Sequence, residues 1–263
     1  MKDMNIVVCI KQVPDTTEIK LDPVKGTLIR DGVPSIMNPD DKGGLEFALR
    51  LKDKYGANVT VISMGPPQAD AILREALAMG VDRAILLSDR RFGGADTLAT
   101  SRTIAAALRK LEYDLVITGR QAIDGDTAQV GPQIAEHLDI PQVTYAESLD
   151  FDGKNTYTVK KADEDGYQIV EVDGPALVTA LASGVKPRYM TVRGIVEAYD
   201  KPVEVWGFDD IEVDPAKIGL AGSPTRVAKS FAKGMKAPGQ LHEVEPEEAV
   251  ELIINKLKEK FII

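Results

Sequence analysis

A chain of 263 residues with 44% hydrophobic residues is long enough to bury a sizeable core, and because only 5% of the residues are aromatic, that core must be mainly aliphatic. The formal net charge of −9 has the wrong sign for a groove that binds a nucleic-acid backbone. No apolar run approaches the ~20 residues of a membrane span, and no signal peptide precedes the first strand pattern, so we expect a cytoplasmic protein without a membrane span.

Strand and helix patterns alternate regularly through the first part of the chain. Apolar runs predict buried strands, and segments with helical spacing follow them. The strands are expected at residues 5–11, 58–64, 83–88 and 114–119, and the helices at 41–55, 68–79, 96–111 and 127–138. This order predicts an α/β fold with a doubly wound parallel sheet, the Rossmann-like architecture that binds adenine nucleotides.

A different pattern follows in the second part of the chain. Residues 156–161 and 168–173 alternate like a hairpin inserted in the domain, and residues 175–182 form another apolar strand pattern. Beyond residue 199 the periodicity fades until an amphipathic helix at 245–260. We therefore expect a nucleotide-binding α/β domain at residues 1–199 and a C-terminal arm at 200–263.

The arm has too few apolar residues to fold alone, so we expect it to pack on another protein chain. Its apolar residues include Val227, Phe231 and Met235, which lie among basic residues. An appendage that folds back on its own domain is the alternative.

The most informative segment is 119–133, GRQAIDGDTAQVGPQ, which follows a predicted strand and begins a predicted helix. Ligands of open α/β sheets bind at the carboxyl ends of strands, and N–H groups at a helix N-terminus suit a phosphate. The glycines permit close backbone approach, and Thr127 offers a hydroxyl. Asp124 and Asp126 would repel a phosphate, so we assign them to helix capping or to ribose and backbone contacts. A plain strand-to-helix turn is the alternative, because the segment is neither a Walker loop nor GxGxxG.

Other polar or reactive residues near the predicted strand ends have ordinary structural explanations. Asp40 and Asp41 are candidate caps of the first helix, and Cys9 is expected to be a buried, inert thiol. A single cysteine excludes an internal disulfide and suits a reducing compartment. No catalytic set or metal-ligand cluster stands out, so the sequence predicts neither catalytic residues nor a metal ion.

Several segments together resemble the electron-transfer flavoprotein beta subunit family. They are VVCIKQVPD, IMNPDD, SMGPP, ALAMGVDRA, GRQAIDGDTAQVGPQIAEHL and VKKADEDGYQIVEVDGPALVT, followed by Lys186-Pro187-Arg188-Tyr189. They occur in the family's order, and the resemblance covers nearly the whole chain.

The resemblance implies a heterodimer with a larger alpha subunit that holds an FAD and on which the arm packs. It implies that residues 14–17 approach that flavin and that Val192 is an apolar contact for a dehydrogenase. It also implies a second nucleotide in this chain: AMP in respiratory members, FAD in electron-bifurcating members. By resemblance, the residues that line this nucleotide are Cys9, Asn38, Pro39, Asp40, Asp41, Met64, Gly119, Arg120, Gln121, Ala122, Ile123, Asp124, Gly125, Asp126, Thr127, Ala128, Gln129, Val130 and Gly131.

Two departures from the AMP-binding type favour FAD in this chain. That type tends to carry an acid at the position of Gly125 and a bulkier polar residue at the position of Ala128. Both replacements make room, and one removes negative charge where a pyrophosphate would pass.

A bifurcating member is an NADH-oxidising oxidoreductase only within its complex. It would pass electrons to ferredoxin or flavodoxin and, through the alpha-subunit FAD, to a flavin dehydrogenase, either an acyl-CoA dehydrogenase or a hydroxyacid dehydrogenase. The alternatives are an AMP-binding electron carrier and an ATP-binding stress or signalling module without a redox role.

Overall fold

The computed structural model describes residues 4–15, 20–21, 28–29, 34–225 and 239–263. The chain divides into two compact units, Met1–Lys229 and Ser230–Ile263. The described strands are β1 Asn5–Cys9, β2 Gln12–Pro14, β3 Lys20–Leu21, β4 Leu28–Ile29, β5 Ser35–Met37, β6 Asn58–Met64, β7 Arg83–Leu87, β8 Leu115–Gly119, β9 Gln142–Phe151, β10 Thr156–Asp163, β11 Gly166–Asp173, β12 Ala176–Ala180 and β13 Val203–Trp206. The described helices are α1 Pro39–Tyr55, α2 Asp70–Met79, α3 Thr97–Leu108, α4 Val130–Leu138, α5 Val192–Asp200 and α6 Pro246–Glu259.

A mostly parallel sheet forms the centre of the first unit. Among the described residues it contains nine strands in the order β11-β10-β9-β12-β8-β1-β6-β7-β13. From β9 to β13 all neighbouring strands run parallel, whereas β10 is antiparallel to both β9 and β11. The predicted α/β class and the predicted hairpin are therefore confirmed.

Helices cover both faces of this sheet. In β1, Ile6 and Val8 pack in the layer that contains α1 and α2, while Val7 and Cys9 pack in the layer that contains α3 and α4. Successive strand residues point to opposite faces, so a strand covered on both sides is apolar at most of its positions. This requirement explains why the central strands are visible in the sequence as nearly continuous apolar runs.

The predicted strands and helices are present, and all except β6 have shifted ends, but three elements of the central sheet and its helical layers were not predicted. The strand β9 is half-exposed along most of its length, β13 has only four residues, and α5 buries one residue, Ala198. Each therefore lacks a long apolar pattern. The strand β13 pairs with β7 from Val203↔Ala84 to Trp206↔Leu87, so the first compact unit extends past the boundary expected at residue 199.

The second unit contains the predicted C-terminal helix, α6. Its described residues, 239–263, include no buried side chain, and Ile253 and Phe261 are among the exposed apolar ones. Val227, Phe231 and Met235 lie outside the described residues. None of the described helices combines the length and the apolar character needed to cross a membrane.

Candidate functional site

A pocket of about 490 Å³ opens at the carboxyl ends of β1, β6 and β8. The strands β1, β6 and β7 lie in chain order on one side, whereas β8 lies on the other side of β1, so the strand order reverses between β1 and β8. Open α/β sheets bind ligands in the crevice at such a reversal. The volume falls within the ~300–1,000 Å³ of small-molecule sites.

The lining combines an apolar floor with a polar wall. The floor consists of Cys9, Ile62, Met64 and Ile104, and burial raises the pKa of the Cys9 thiol well above its usual range. The polar wall consists of Asp96, Thr97, Thr100, Thr118 and Thr225. Such a site suits a ligand with a flat apolar part and a polar or charged part.

The N-terminus of α4 forms one side of the pocket. Gln129 occupies the N-cap position without a capping side chain, and Gln129, Val130 and Gly131 line the pocket. The first-turn N–H groups and the positive end of the helix dipole are therefore offered to a ligand. A Cβ on Gly131 would lie 2.6 Å from Thr118 Oγ1, so this position requires glycine for α4 to approach β8 so closely.

The loop that leads into α4 has an unusual backbone. Asp126 and Ala128 both have a φ of 52°, in the left-handed region that non-glycine residues rarely adopt. A Cβ on Gly125 would have no neighbouring atom within 4 Å. The loop therefore has a defined shape and leaves open space beside Gly125.

Asp41 ties together the ends of β1 and β8 at the strand-order reversal. Its carboxylate accepts hydrogen bonds from the backbone N–H of Lys11 at 2.8 Å and of Gly119 at 3.0 Å. Burial raises the pKa of Asp41 to about 7, against the hydrogen bonds that favour the charged form. A Cβ on Gly119 would lie 2.2 Å from Asp41 Oδ1, so only glycine fits beside this carboxylate.

Substituting Asp41 by asparagine should destabilise the fold at low pH, where the stabilisation from the protonated carboxyl is complete. The amide nitrogen would face one of the two backbone donors, which costs about 1–3 kcal/mol of unfolding free energy. Because the folded-state pKa of about 7 lies above the ordinary value of 3.8, the stabilisation from this carboxyl is complete below 3.8 and is lost as the pH rises through about 7. Urea unfolding across that range should show that the difference between wild type and Asp41→Asn narrows as the pH rises. A constant or widening difference would contradict the raised pKa.

The neighbouring segment 38–40 supports the loop before α4. The Asn38 side chain donates to the Gln121 carbonyl at 2.8 Å and accepts from the Ile123 N–H at 3.1 Å. Asp40 accepts from the Ala182 N–H at 2.8 Å.

Capping is wrong for all four acidic residues, whereas the alternative of ribose and backbone contacts for Asp124 and Asp126 remains a prediction. Asp40 and Asp41 bind other elements instead of capping α1, which has no side-chain cap. Asp124 accepts from the Lys11 ammonium and Asp126 from the Gln121 amide, so neither caps α4. Partners in other segments replace the local cap for Asp40, Asp41 and Asp124, whereas Asp126 bonds to a residue five positions earlier in the same loop.

The pocket brings together most of the predicted binding residues. Those that line it are Cys9, Asp41, Met64, Gly119, Arg120, Gln121, Ala122, Gly125, Thr127, Ala128, Gln129, Val130 and Gly131. Those that lie outside the lining are Asn38, Pro39, Asp40, Ile123, Asp124 and Asp126. The lining residues that were not predicted are Ile10, Lys11, Ile62, Ala95, Asp96, Thr97, Thr100, Ile104, Thr118 and Thr225.

Some of the lining residues that were not predicted carried a recognisable signal in the sequence. Asp96 precedes α3 and accepts from the Ala99 N–H at 3.0 Å, so it marks a helix start at a strand's carboxyl end. Thr225 carried no such signal, because it reaches the pocket from a distant segment, where its hydroxyl donates to Asp96 at 2.8 Å.

The described residues that are predicted to contact partners lie apart from the pocket lining. Val192 begins α5 and is 82% exposed. The preceding Arg188 is held on α1 by Glu46, at 2.9 Å. Of residues 14–17, the last two lie outside the described residues.

The fold and the pocket define a class: α/β proteins with a mostly parallel sheet and a ligand pocket at the strand-order reversal. The chain matches the electron transfer flavoprotein domain over residues 25–211. It is 63% identical over 260 residues to the electron transfer flavoprotein subunit beta of Clostridium acetobutylicum, an alignment that covers 99% of this chain and 100% of that protein.

Two further relatives are similar over their full length. The caffeyl-CoA reductase-Etf complex subunit CarD of Acetobacterium woodii is 52% identical over 263 residues, with 99% of this chain and 100% of that protein covered. The acryloyl-CoA reductase electron transfer subunit gamma of Anaerotignum propionicum is 48% identical over 269 residues, with the same coverage. The chain therefore belongs to the electron transfer flavoprotein family, among its beta subunits.

Proposed function

We propose that the pocket binds FAD and that the chain is the nucleotide-binding, Rossmann-like beta subunit of a bifurcating electron-transferring flavoprotein. The observation that carries the proposal is the juxtaposition of the uncapped α4 N-terminus with an apolar floor at the strand-order reversal. A phosphate suits the helix N-terminus, and an adenine ring suits the floor.

The open space beside Gly125 supports FAD over AMP. No atom lies within 4 Å of the Cβ position at Gly125, and Ala128 adds little volume. A pyrophosphate can therefore continue past the α4 N-terminus without meeting an acidic side chain at this position. AMP, with its single phosphate, is the alternative ligand. When bound, FAD would supply the redox chemistry by accepting a hydride from NADH and releasing electrons singly.

The residues of this chain would bind and orient the cofactor rather than act as acid or base. The α4 N–H groups and the backbone near Gly125 would hold phosphate, and Asp41 would fix the strand ends that form the cradle. Cys9, Met64 and Ile104 would exclude water from the adenine.

The proposal includes an alpha subunit that holds a second FAD, ferredoxin or flavodoxin as one acceptor, and a flavin dehydrogenase as the other, in the cytoplasm. Two relatives are named after a caffeyl-CoA reductase and an acryloyl-CoA reductase, which favours an acyl-CoA dehydrogenase over a hydroxyacid dehydrogenase. Val192, exposed on α5, is the proposed apolar contact for that enzyme. Membership of the flavoprotein family disfavours the ATP-binding signalling module.

Nucleotide analysis of the heterodimer tests the proposal. The chain should be coexpressed with its alpha subunit, and the nucleotides released by denaturation should be separated and counted. We expect two FAD and no AMP per heterodimer. One FAD and one AMP would identify the AMP-binding carrier. In a second step, NADH should reduce ferredoxin only when the dehydrogenase and its oxidised substrate are present, and ferredoxin that is never reduced would exclude bifurcation.

A further inference from the structure

Two cationic side chains, Lys11 and Arg120, occur among the described residues that line the pocket, and each faces a carboxylate outside the lining. Arg120 Nε lies 3.3 Å from Oδ2 of the buried Asp40, which is itself fixed by the Ala182 N–H. The Lys11 ammonium instead lies 2.7 and 2.8 Å from the two oxygens of Asp124. Among the described lining residues, one cation therefore lies beside a buried carboxylate and the other beside a partly exposed carboxylate.

In the Lys11–Asp124 pair, the backbone of Lys11 is fixed, whereas the charged groups of both side chains are exposed to solvent. The Lys11 N–H is bound by Asp41, which fixes the residue at the end of β1. The side chains of Lys11 and Asp124 are 47% and 32% exposed, so water screens their attraction. The ammonium can leave Asp124 without moving the strand and without leaving a buried charge unpaired.

We propose that Asp124 competes with the bound nucleotide for Lys11, and that the Lys11 ammonium transfers from Asp124 to a nucleotide phosphate on binding. The inference rests on the proposed function, because the phosphate is that of the nucleotide. Lys11 and the α4 N-terminus line the same pocket, whereas Asp124 lies outside the lining. Phosphate offers several charged oxygens and is a stronger partner for an ammonium than a screened carboxylate.

Competition predicts opposite effects for the two members of one ion pair. Lys11→Met should weaken phosphate binding about tenfold or more, because an attractive charge is lost while the repulsive Asp124 remains. Asp124→Asn should tighten binding by about two- to fivefold, because the exposed pair no longer has to be broken. A double variant separates competition from simple charge repulsion: competition makes the tightening by Asp124→Asn depend on Lys11, whereas repulsion by Asp124 gives the same tightening in the Lys11→Met background.

The test uses the coexpressed heterodimer with its beta-site nucleotide removed, and calorimetric titration with AMP and with adenosine. Adenosine lacks the phosphate, so its affinity should be unchanged in both variants. Lys160→Met and Glu147→Gln are matched controls, because that pair, at 2.9 Å and with 37% and 33% exposed side chains, lies outside the pocket lining. The controls should bind AMP like the wild type.

The outcomes separate the inference from the proposed function. AMP binding that is tightened by Asp124→Asn and weakened by Lys11→Met, with adenosine unaffected, supports the transfer of the ammonium. AMP binding that is weakened or unchanged in Asp124→Asn overturns it, as does an equal change for adenosine. A wild-type heterodimer that binds neither AMP nor FAD overturns the proposed function and this inference together.

Discussion

Gly125→Asp should empty the pocket of its nucleotide while the protein stays folded. The new carboxylate would lie a few ångströms from the proposed pyrophosphate in a partly enclosed site, at a cost of about 1–4 kcal/mol. That cost corresponds to a roughly tenfold to thousandfold loss of affinity. The side chain itself meets no atom within 4 Å at its Cβ, so the substitution should leave the unfolding midpoint nearly unchanged.

The nucleotide count of the purified heterodimer measures this effect. The flavin of the alpha subunit should be kept, and the nucleotide of this chain should be lost. Gly166→Asp is a matched control, because Gly166 also has no atom within 4 Å of its Cβ position but lies at the hairpin between β10 and β11. A Gly125→Asp heterodimer with both nucleotides at full occupancy would show that the phosphates lie elsewhere.

Deleting Ser230–Ile263 should abolish heterodimer formation and leave the first unit folded. The sheet and both of its helical layers lie within Met1–Lys229, so the deletion removes no described core residue. The described part of the second unit has no buried side chain, although Val250, Ile253 and Phe261 are apolar and more than half exposed. We propose that these residues bury their surface against the alpha subunit.

Copurification of a tagged alpha subunit with the truncated chain measures the loss, and circular dichroism reports whether the first unit is folded. A milder variant, Ile253→Ser with Leu257→Ser, should weaken the complex. Glu251→Ser with Lys258→Ser is its control on the same helix and should not. Undiminished association of the truncated chain would place the subunit interface on the first unit alone.

Features that depend on local pattern were predictable from the sequence. The central strands are apolar on both faces, so β6 was predicted with its observed ends, Asn58–Met64. Gly80 ends α2 in a left-handed conformation, as a glycine after an apolar helix suggests.

Features that depend on tertiary partners were not predictable from the sequence. Asp124 resembles a helix cap locally, but it binds Lys11, which is 113 residues away in the chain. Thr225 reaches the pocket only because Asp96 binds it across 129 residues. The strand β13 is recognisable only through its pairing with β7. In each case the decisive contact joins segments whose proximity no local pattern encodes.

The left-handed backbone at Asp126 and Ala128 has a consequence for how tightly the loop can bind. Each such residue costs about 1–2 kcal/mol relative to a right-handed one. Folding of the sheet and of α4 must supply that energy, so the loop's conformational entropy is lost when the chain folds and not when a ligand arrives. A ligand then meets a preorganised surface and keeps more of its interaction energy as affinity. Glycine at position 126 or 128 would relieve the strain. The loop would then be more flexible and would lose conformational entropy each time a ligand binds.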